Sequence, residues 1–264
     1  MLTSSFILLP GVGPVTERRW WREGLRDWSH FLDQSSIPGL SAARKTWYDD
    51  ELQTAQLLAA KGDFGHFATR LPRREHWRLY GMCRSRTGYL DIETTGGPPH
   101  DGAVTVVGLH CHGKTVNLVH GEDLTPERLQ AELDQCDLLV TFFGSVFDIP
   151  YLCATFPELR MPPLHFDLCF AARRLALRGG LKSIEHEMGI DRDGTISGLD
   201  GWDAVRLWFD WCRGDIHARE TLLAYNRADT EHLMHLADRF YEDLMARFGP
   251  SSTHSTVSHP AYTR

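Results

Sequence analysis

The spacing of apolar and polar positions changes along the chain, and each change predicts a switch of secondary structure. From Thr87 to Ile92 β-branched and aromatic residues run up to a Gly96-Gly97 stop, which predicts a strand. Two further strands are predicted at 103–109 and 114–119, joined by a turn at His112-Gly113. The short apolar runs at 137–142 and 164–166 read as buried strands. Helical spacing appears at 15–23, 46–60 and 75–80, with Gly24 and Pro38-Gly39 as breaks. Between those breaks, Leu25, Trp28, Phe31 and Leu32 form an apolar stripe at helical spacing. Thr125-Pro126 caps a helix reaching about Gln135, and others are predicted at 147–155, from Asp167 to near Arg178, and at 181–188, 203–211 and 216–248.

Three early strands followed by alternating strands and helices give an α/β class with one antiparallel strand in a mixed sheet. The pattern divides the chain into an N-terminal helical segment (1–35), a helical connecting region (36–86) and an α/β domain (87–248). Residues 249–264, rich in Ser, Thr, His and Pro, read as a disordered tail. At 264 residues, 42% hydrophobic and 24% charged, the composition is that of an ordinary globular protein with room for a full core. No run is long and apolar enough for a membrane span, and six cysteines without a Cys-x-x-Cys pair fit reduced thiols in the cytoplasm.

The net charge of −7 does not announce a nucleic-acid binder, yet the arginines cluster. Arg18, Arg19, Arg22 and Arg26 form one group, Arg70, Arg73, Arg74, Arg78, Arg84 and Arg86 a second, and Arg173, Arg174, Arg178 and Lys182 a third. Arginine suits bidentate phosphate contact, and solvated helix faces account for the same pattern equally well. The aromatic residues of 47–80 are assigned to the core ahead of base stacking. Along the strand at 87–92 and at its end, alternation sends Asp91 and Glu93 to one side and Leu90 and Ile92 to the other. Two neighbouring carboxylates repel unless a proton or a cation lies between them, and a hard divalent cation takes such oxygen ligands.

Four segments carry a family resemblance: Asp91-Ile92-Glu93-Thr94-Thr95-Gly96, Thr141 to Leu152 with Asp148, His165-Phe166-Asp167-Leu168, and Tyr225-Asn226-Arg227-Ala228-Asp229-Thr230. In this order they resemble the motifs of the DEDD exonuclease superfamily, in its tyrosine-bearing branch, and most nearly the YprB-type ribonuclease-H-like proteins. The resemblance covers about residues 87–240. It implies a ribonuclease-H-like, mixed five-stranded sheet flanked by helices, with the N-terminal segment as a small helical extension. It also implies two Mg²⁺ or Mn²⁺ ions and hydrolysis of a phosphodiester. Asp91 would bridge both ions, Glu93 and Asp229 would complete one site, and Asp148 would hold the second ion. Tyr225, one helical turn before Asp229, would help position the attacking water. Thr94 and Phe147 would touch the nucleic acid. One departure concerns the position five residues before Asp148, commonly Asn in the family, which here is Phe143. Asp167 is expected to cap a helix, and His232 and His235 to lie on a helix surface.

Leu9-Pro10-Gly11-Val12-Gly13 resembles the hairpin of helix-hairpin-helix modules. That resemblance implies phosphate contact by the backbone at Gly11 and Gly13, supported by Arg18, against a plain turn as the alternative. The expected activity is a 3′–5′ exonuclease on single-stranded DNA or RNA, with no membrane partner and a helicase as an associate suggested by related proteins. A structure-specific endonuclease on the same site and a catalytically silent nucleic-acid-binding adaptor are the alternatives, the latter supported by Phe143.

Overall fold

A computed structural model describes residues 1–250. The expected tail therefore falls, from Ser251 onward, outside the described residues. The chain opens with a single 3₁₀ turn (Leu2–Ser4), then α1 (Pro14–Arg22), α2 (Trp28–Leu32), α3 (Ala42–Lys61) and α4 (Gly65–Arg70). Proline at the first position starts α1, and the Ser41 hydroxyl accepts from Arg44 N to start α3 four residues before the predicted boundary. Gly62, at φ +72°, closes α3 in the left-handed region. The helix predicted at 75–80 is instead a 3₁₀ stretch (Arg73–Leu79) leading into α5 (Tyr80–Cys83) and a further 3₁₀ turn (Arg84–Arg86). It begins at Pro72, whose carbonyl accepts from Glu75 N at 2.8 Å.

The sheet contains β1 (Thr87–Thr94), β2 (Val104–Cys111), β3 (Lys114–Val119), β4 (Leu138–Thr141) and β5 (Leu164–Asp167), in the order β3-β2-β1-β4-β5. β2 runs antiparallel to both of its neighbours, whereas β1, β4 and β5 are mutually parallel. This is the mixed five-stranded α/β sheet expected from the sequence. Between and beyond the strands lie α6 (Pro126–Leu133), α7 (Asp148–Thr155), α8 (Leu168–Arg174), α9 (Leu181–Glu187), α10 (Gly201–Cys212) and α11 (Ile216–Phe248). α8 stops short of the predicted Arg178 because Ala176 takes φ +67°. Leu177 N then bonds Ala172 O at 2.9 Å and Ala176 N bonds Arg173 O at 3.2 Å, a C-terminal cap usually made with glycine.

Alternation along β1 divides the core. Leu90 and Ile92 pack on one face with Leu129 and Leu133 of α6 and Leu152 of α7. Tyr89 faces the other way, into a cluster that takes in Phe6, Trp20, Trp28, Phe31, Tyr48 and Leu52 of the N-terminal region and Leu233, Leu236 and Phe240 of α11. The N-terminal region thus shares a core with the sheet, and a buried ion pair fixes it there. Arg78 donates to both oxygens of Glu17 at 3.0 Å, and to Glu75 at 2.8 Å. α11 crosses the sheet on this face, close enough that a Cβ at Gly108 of β2 would overlap Thr230 Oγ1 and Asn226 Oδ1. Only glycine allows that approach.

Candidate active site

The close crossing of α11 over β1 and β2 brings a helix face against the two β1 carboxylates. Asp91, Glu93 and Asp229 each present an oxygen, and these oxygens all lie within 4.8 Å of one another. Glu93 and Asp229 are buried and Asp91 is half-buried. Asp148, the first residue of α7, is also buried, and its Oδ1 accepts from Ile92 N at 3.2 Å, which anchors α7 to β1. Asn226 is fully buried one turn before Thr230; its Nδ2 donates to Asp91 Oδ2 at 3.0 Å, and its Oδ1 accepts from Asn117 at 2.7 Å. This amide fixes the Asp91 carboxylate from the helix side.

Burial is the main force on the charge state of the cluster. It raises the Asp91 carboxyl well above the ordinary range, and the charges of Asp229, Glu93 and Asp148 add to it. Glu93 is raised in the same way, by burial and then by Asp229. Asp148 is pushed up to about 7 by burial, offset in part by backbone N–H donors. The Tyr225 phenol is raised too, by burial and then by the three neighbouring carboxylates, so it stays protonated. Lys182 Nζ donates to the Tyr225 hydroxyl at 2.9 Å, which leaves the phenol its own O–H as a donor.

A cation answers this arrangement. Asp229 Oδ1 is buried and has no hydrogen-bond donor in bonding geometry. Arg192 Nη1 is in contact with it as an ion pair, so this oxygen already faces one cation. Three carboxylates gathered this closely, only one of them paired with an arginine, are a donor set for a hard divalent ion such as Mg²⁺ or Mn²⁺. Asp91, Glu93 and Asp229 would hold it, with Asp148 adjacent.

The model of the RNase_H superfamily matches residues 88–241, more than half of the chain. The chain belongs to the RNase_H superfamily. No curated protein matches it. Among solved structures, the family B DNA polymerase of the hyperthermophilic archaeon Pyrobaculum calidifontis is similar at 16% identity and a TM-score of 0.49, over 58% of this chain. The chain spans 24% of that polymerase. A nuclease in its apo form is 22% identical over 67% of this chain and 79% of its own, with a TM-score of 0.47. The Nibbler EXO domain of Aedes aegypti is 15% identical over 66% of this chain and 86% of its own, with a TM-score of 0.45.

In this member of the RNase_H superfamily the five residues expected to carry chemistry, Asp91, Glu93, Asp148, Tyr225 and Asp229, come together. Thr94 and Phe147 are also brought together, lining a groove of about 400 Å³ with Gly96, Gly97, Trp202 and Val205. Gly11, Gly13 and Arg18 lie elsewhere: Gly11 takes φ +79° in a turn, Gly13 caps α1, and Arg18 is exposed on α1. No hydrogen bond or ion pair found among the described residues links them to the carboxylates. Asp167 caps α8 as expected, accepting from Cys169 N at 3.1 Å. Asn226, Glu185 and Arg192 were not singled out from the sequence. Asn226 had a usable signal, since it stands three residues before Asp229 on one helix face. Arg192, in the loop after α9, bonds both oxygens of Glu185 at 2.7 and 2.8 Å while it touches Asp229, and His232 Nδ1 lies 3.1 Å from Glu185. Nothing local in the sequence marks that set.

Proposed function

We propose that the chain is a metal-dependent 3′–5′ exonuclease that hydrolyses phosphodiester bonds of single-stranded nucleic acid. The observation that carries this reading is the meeting of Asp91, Glu93 and Asp229 within 4.8 Å, with Asp148 and the protonated Tyr225 beside them. Two Mg²⁺ or Mn²⁺ ions held there would neutralise the carboxylates and polarise the phosphate being cleaved. Asp91, Glu93, Asp229 and Asp148 would be the residues that hold them. Asn226 orients Asp91. Tyr225 donates its O–H toward the water that attacks phosphorus, and Lys182 holds the phenol in place. Thr94 and Phe147 line the groove for the terminal nucleotide. The polarity and the single-strand preference rest on the resemblance of the four motifs.

A second reading, a nucleic-acid-binding protein without turnover, is favoured by one observation: the Arg192 guanidinium occupies the side of Asp229 that a metal would need. Both readings are tested with 3′- and 5′-labelled DNA and RNA oligonucleotides in Mg²⁺, Mn²⁺ or EDTA. The proposed enzyme shortens strands from the 3′ end in metal only, spares a circular single strand, and loses all turnover in Asp91→Ala. Binding that is indifferent to EDTA, with no product in Mn²⁺, would establish the silent reading.

A further inference from the structure

The loop between β4 and α7 does more than lead to Asp148. Phe143 sits in it at φ +67°, a region that bulky residues avoid. Asp167, at the end of β5, enforces this: its Oδ1 accepts from Phe143 N at 2.9 Å, and its Oδ2 accepts from Ser145 N at 3.0 Å and from Ser145 Oγ at 2.6 Å. The outcome is a Phe143 ring that is 38% exposed, tilted against a Phe170 ring that is 39% exposed, with centroids 6.3 Å apart. Two large aromatic faces are thereby left in water, one of them on a strained backbone.

Beside Phe170 opens a pocket of about 250 Å³, small enough to suit one planar group. Arg73, Trp77, Phe166, Asp167, Phe170 and Arg174 line it. Its rim is cationic although the chain as a whole is acidic. Arg73 is exposed, and the exposed Arg173 lies 5.1 Å over the Phe170 ring. Arg174 is held in place by Glu75 at 3.2 Å and by the Arg74 carbonyl at 2.8 Å. The one acid in the wall, Asp167, has both oxygens engaged by the loop it braces. Residues 73–77 precede the part of the chain matched by the superfamily model, so this pocket is built jointly by the N-terminal region and the catalytic domain.

We propose that this pocket, with Phe143 and Arg173 that flank its Phe170 wall, is a second nucleotide site, which stacks an internal base of the substrate strand on the aromatic pair and holds its phosphate with Arg73 and Arg173. The inference rests on the nuclease reading and gives it a route for the strand. Phe143 lies in the loop that leads to Asp148 at the start of α7, and the proposed strand runs from the carboxylates along this loop to the aromatic pair. Aromatic stacking tolerates any base and arginines read only the phosphate, so the site takes single strands without sequence preference.

The test measures binding by fluorescence anisotropy in the full chain carrying Asp91→Asn, in Mn²⁺. The probes are 5′-labelled dT12 and rU12, together with dT12 oligomers in which one thymine at a time is missing. In the parent, loss of one internal base, apart from the 3′-terminal one, weakens binding about five-fold or more. Phe143→Gly removes the ring and relieves the strained φ, so it keeps the fold, and Phe170→Ala removes the other ring. Each variant weakens intact dT12 by the same factor and erases the sensitivity at that position. Arg73→Gln weakens all oligomers alike and lowers the salt dependence by about one phosphate contact. A parent that binds dT12 with a flat missing-base profile, or ring variants that keep the parental profile, overturns the second site and leaves the nuclease reading standing. A parent that binds neither dT12 nor rU12 overturns both.

Discussion

Replacing Asp148 by Asn should stabilise the metal-free protein at neutral pH, although it removes a residue assigned to catalysis. The Asp148 carboxyl is 4% exposed and is pushed up to about 7, chiefly by burial, with Asp167 and Asp229 adding repulsion. In the unfolded chain the same group titrates near 3.8. Below about pH 4 both states are protonated and the group has no effect. As pH rises from about 4 to 7 the unfolded chain releases its proton while the folded protein retains it, so stability is lost across that window. Above pH 7 the loss is complete, and raising one carboxyl from 3.8 to about 7 corresponds to at most roughly 4 kcal/mol. Asparagine has the same shape, keeps an oxygen for the Ile92 N–H and does not ionise. Urea unfolding in EDTA should therefore find Asp148→Asn more stable than the natural protein at pH 8, with the gap closing toward pH 4. Adding Mn²⁺ should narrow the gap, because a ligand that binds only the folded state stabilises it, by about 2.7 kcal/mol at a hundredfold excess over Kd. An Asp148→Asn protein that is less stable than the natural one at pH 8 in EDTA would show that the carboxylate is not held under strain.

Two other substitutions separate the roles around the cluster. Tyr225→Phe deletes the hydroxyl that Lys182 contacts at 2.9 Å, so the single-turnover rate should fall by about one to two orders of magnitude while Mn²⁺ binding by calorimetry stays intact; an unchanged rate would assign the tyrosine to packing alone. Arg192→Gln leaves Glu185 and Asp229 buried without their cation, so metal-free stability in chemical unfolding should drop by about 3–5 kcal/mol. The same change should tighten Mn²⁺ binding by removing a competitor from Asp229, and weaker Mn²⁺ binding would mean that Arg192 supports the metal site.

The strand at Thr87 was legible because alternation is a local rule: it put Asp91 and Glu93 on one side and the core residues Leu90 and Ile92 on the other. One helical turn separates Tyr225 from Asp229, and that spacing also needed only the sequence. The order of strands and helices, and the cap at Thr125, followed from the same short-range geometry. Other features depended on burial, which no local window reports. Ala176 ends α8 in a conformation that the sequence normally assigns to glycine. Arg78 looked like one member of an exposed basic group, yet it is buried against Glu17, which lies 61 residues away in the chain. Arg192 and Glu185 carry ordinary charged side chains at positions with no periodic signal, and Asn226 was hidden among motif residues. Their significance arose when α11 crossed the sheet at Gly108 and the α9 loop closed over Asp229. A desolvated charge must find an opposite charge or a proton, and the compact chain supplied one from distant segments. The sequence determines which residues share a face, because that depends on bond geometry over a few residues. Which faces meet, and which charges must then be neutralised, is decided only when the whole core excludes water.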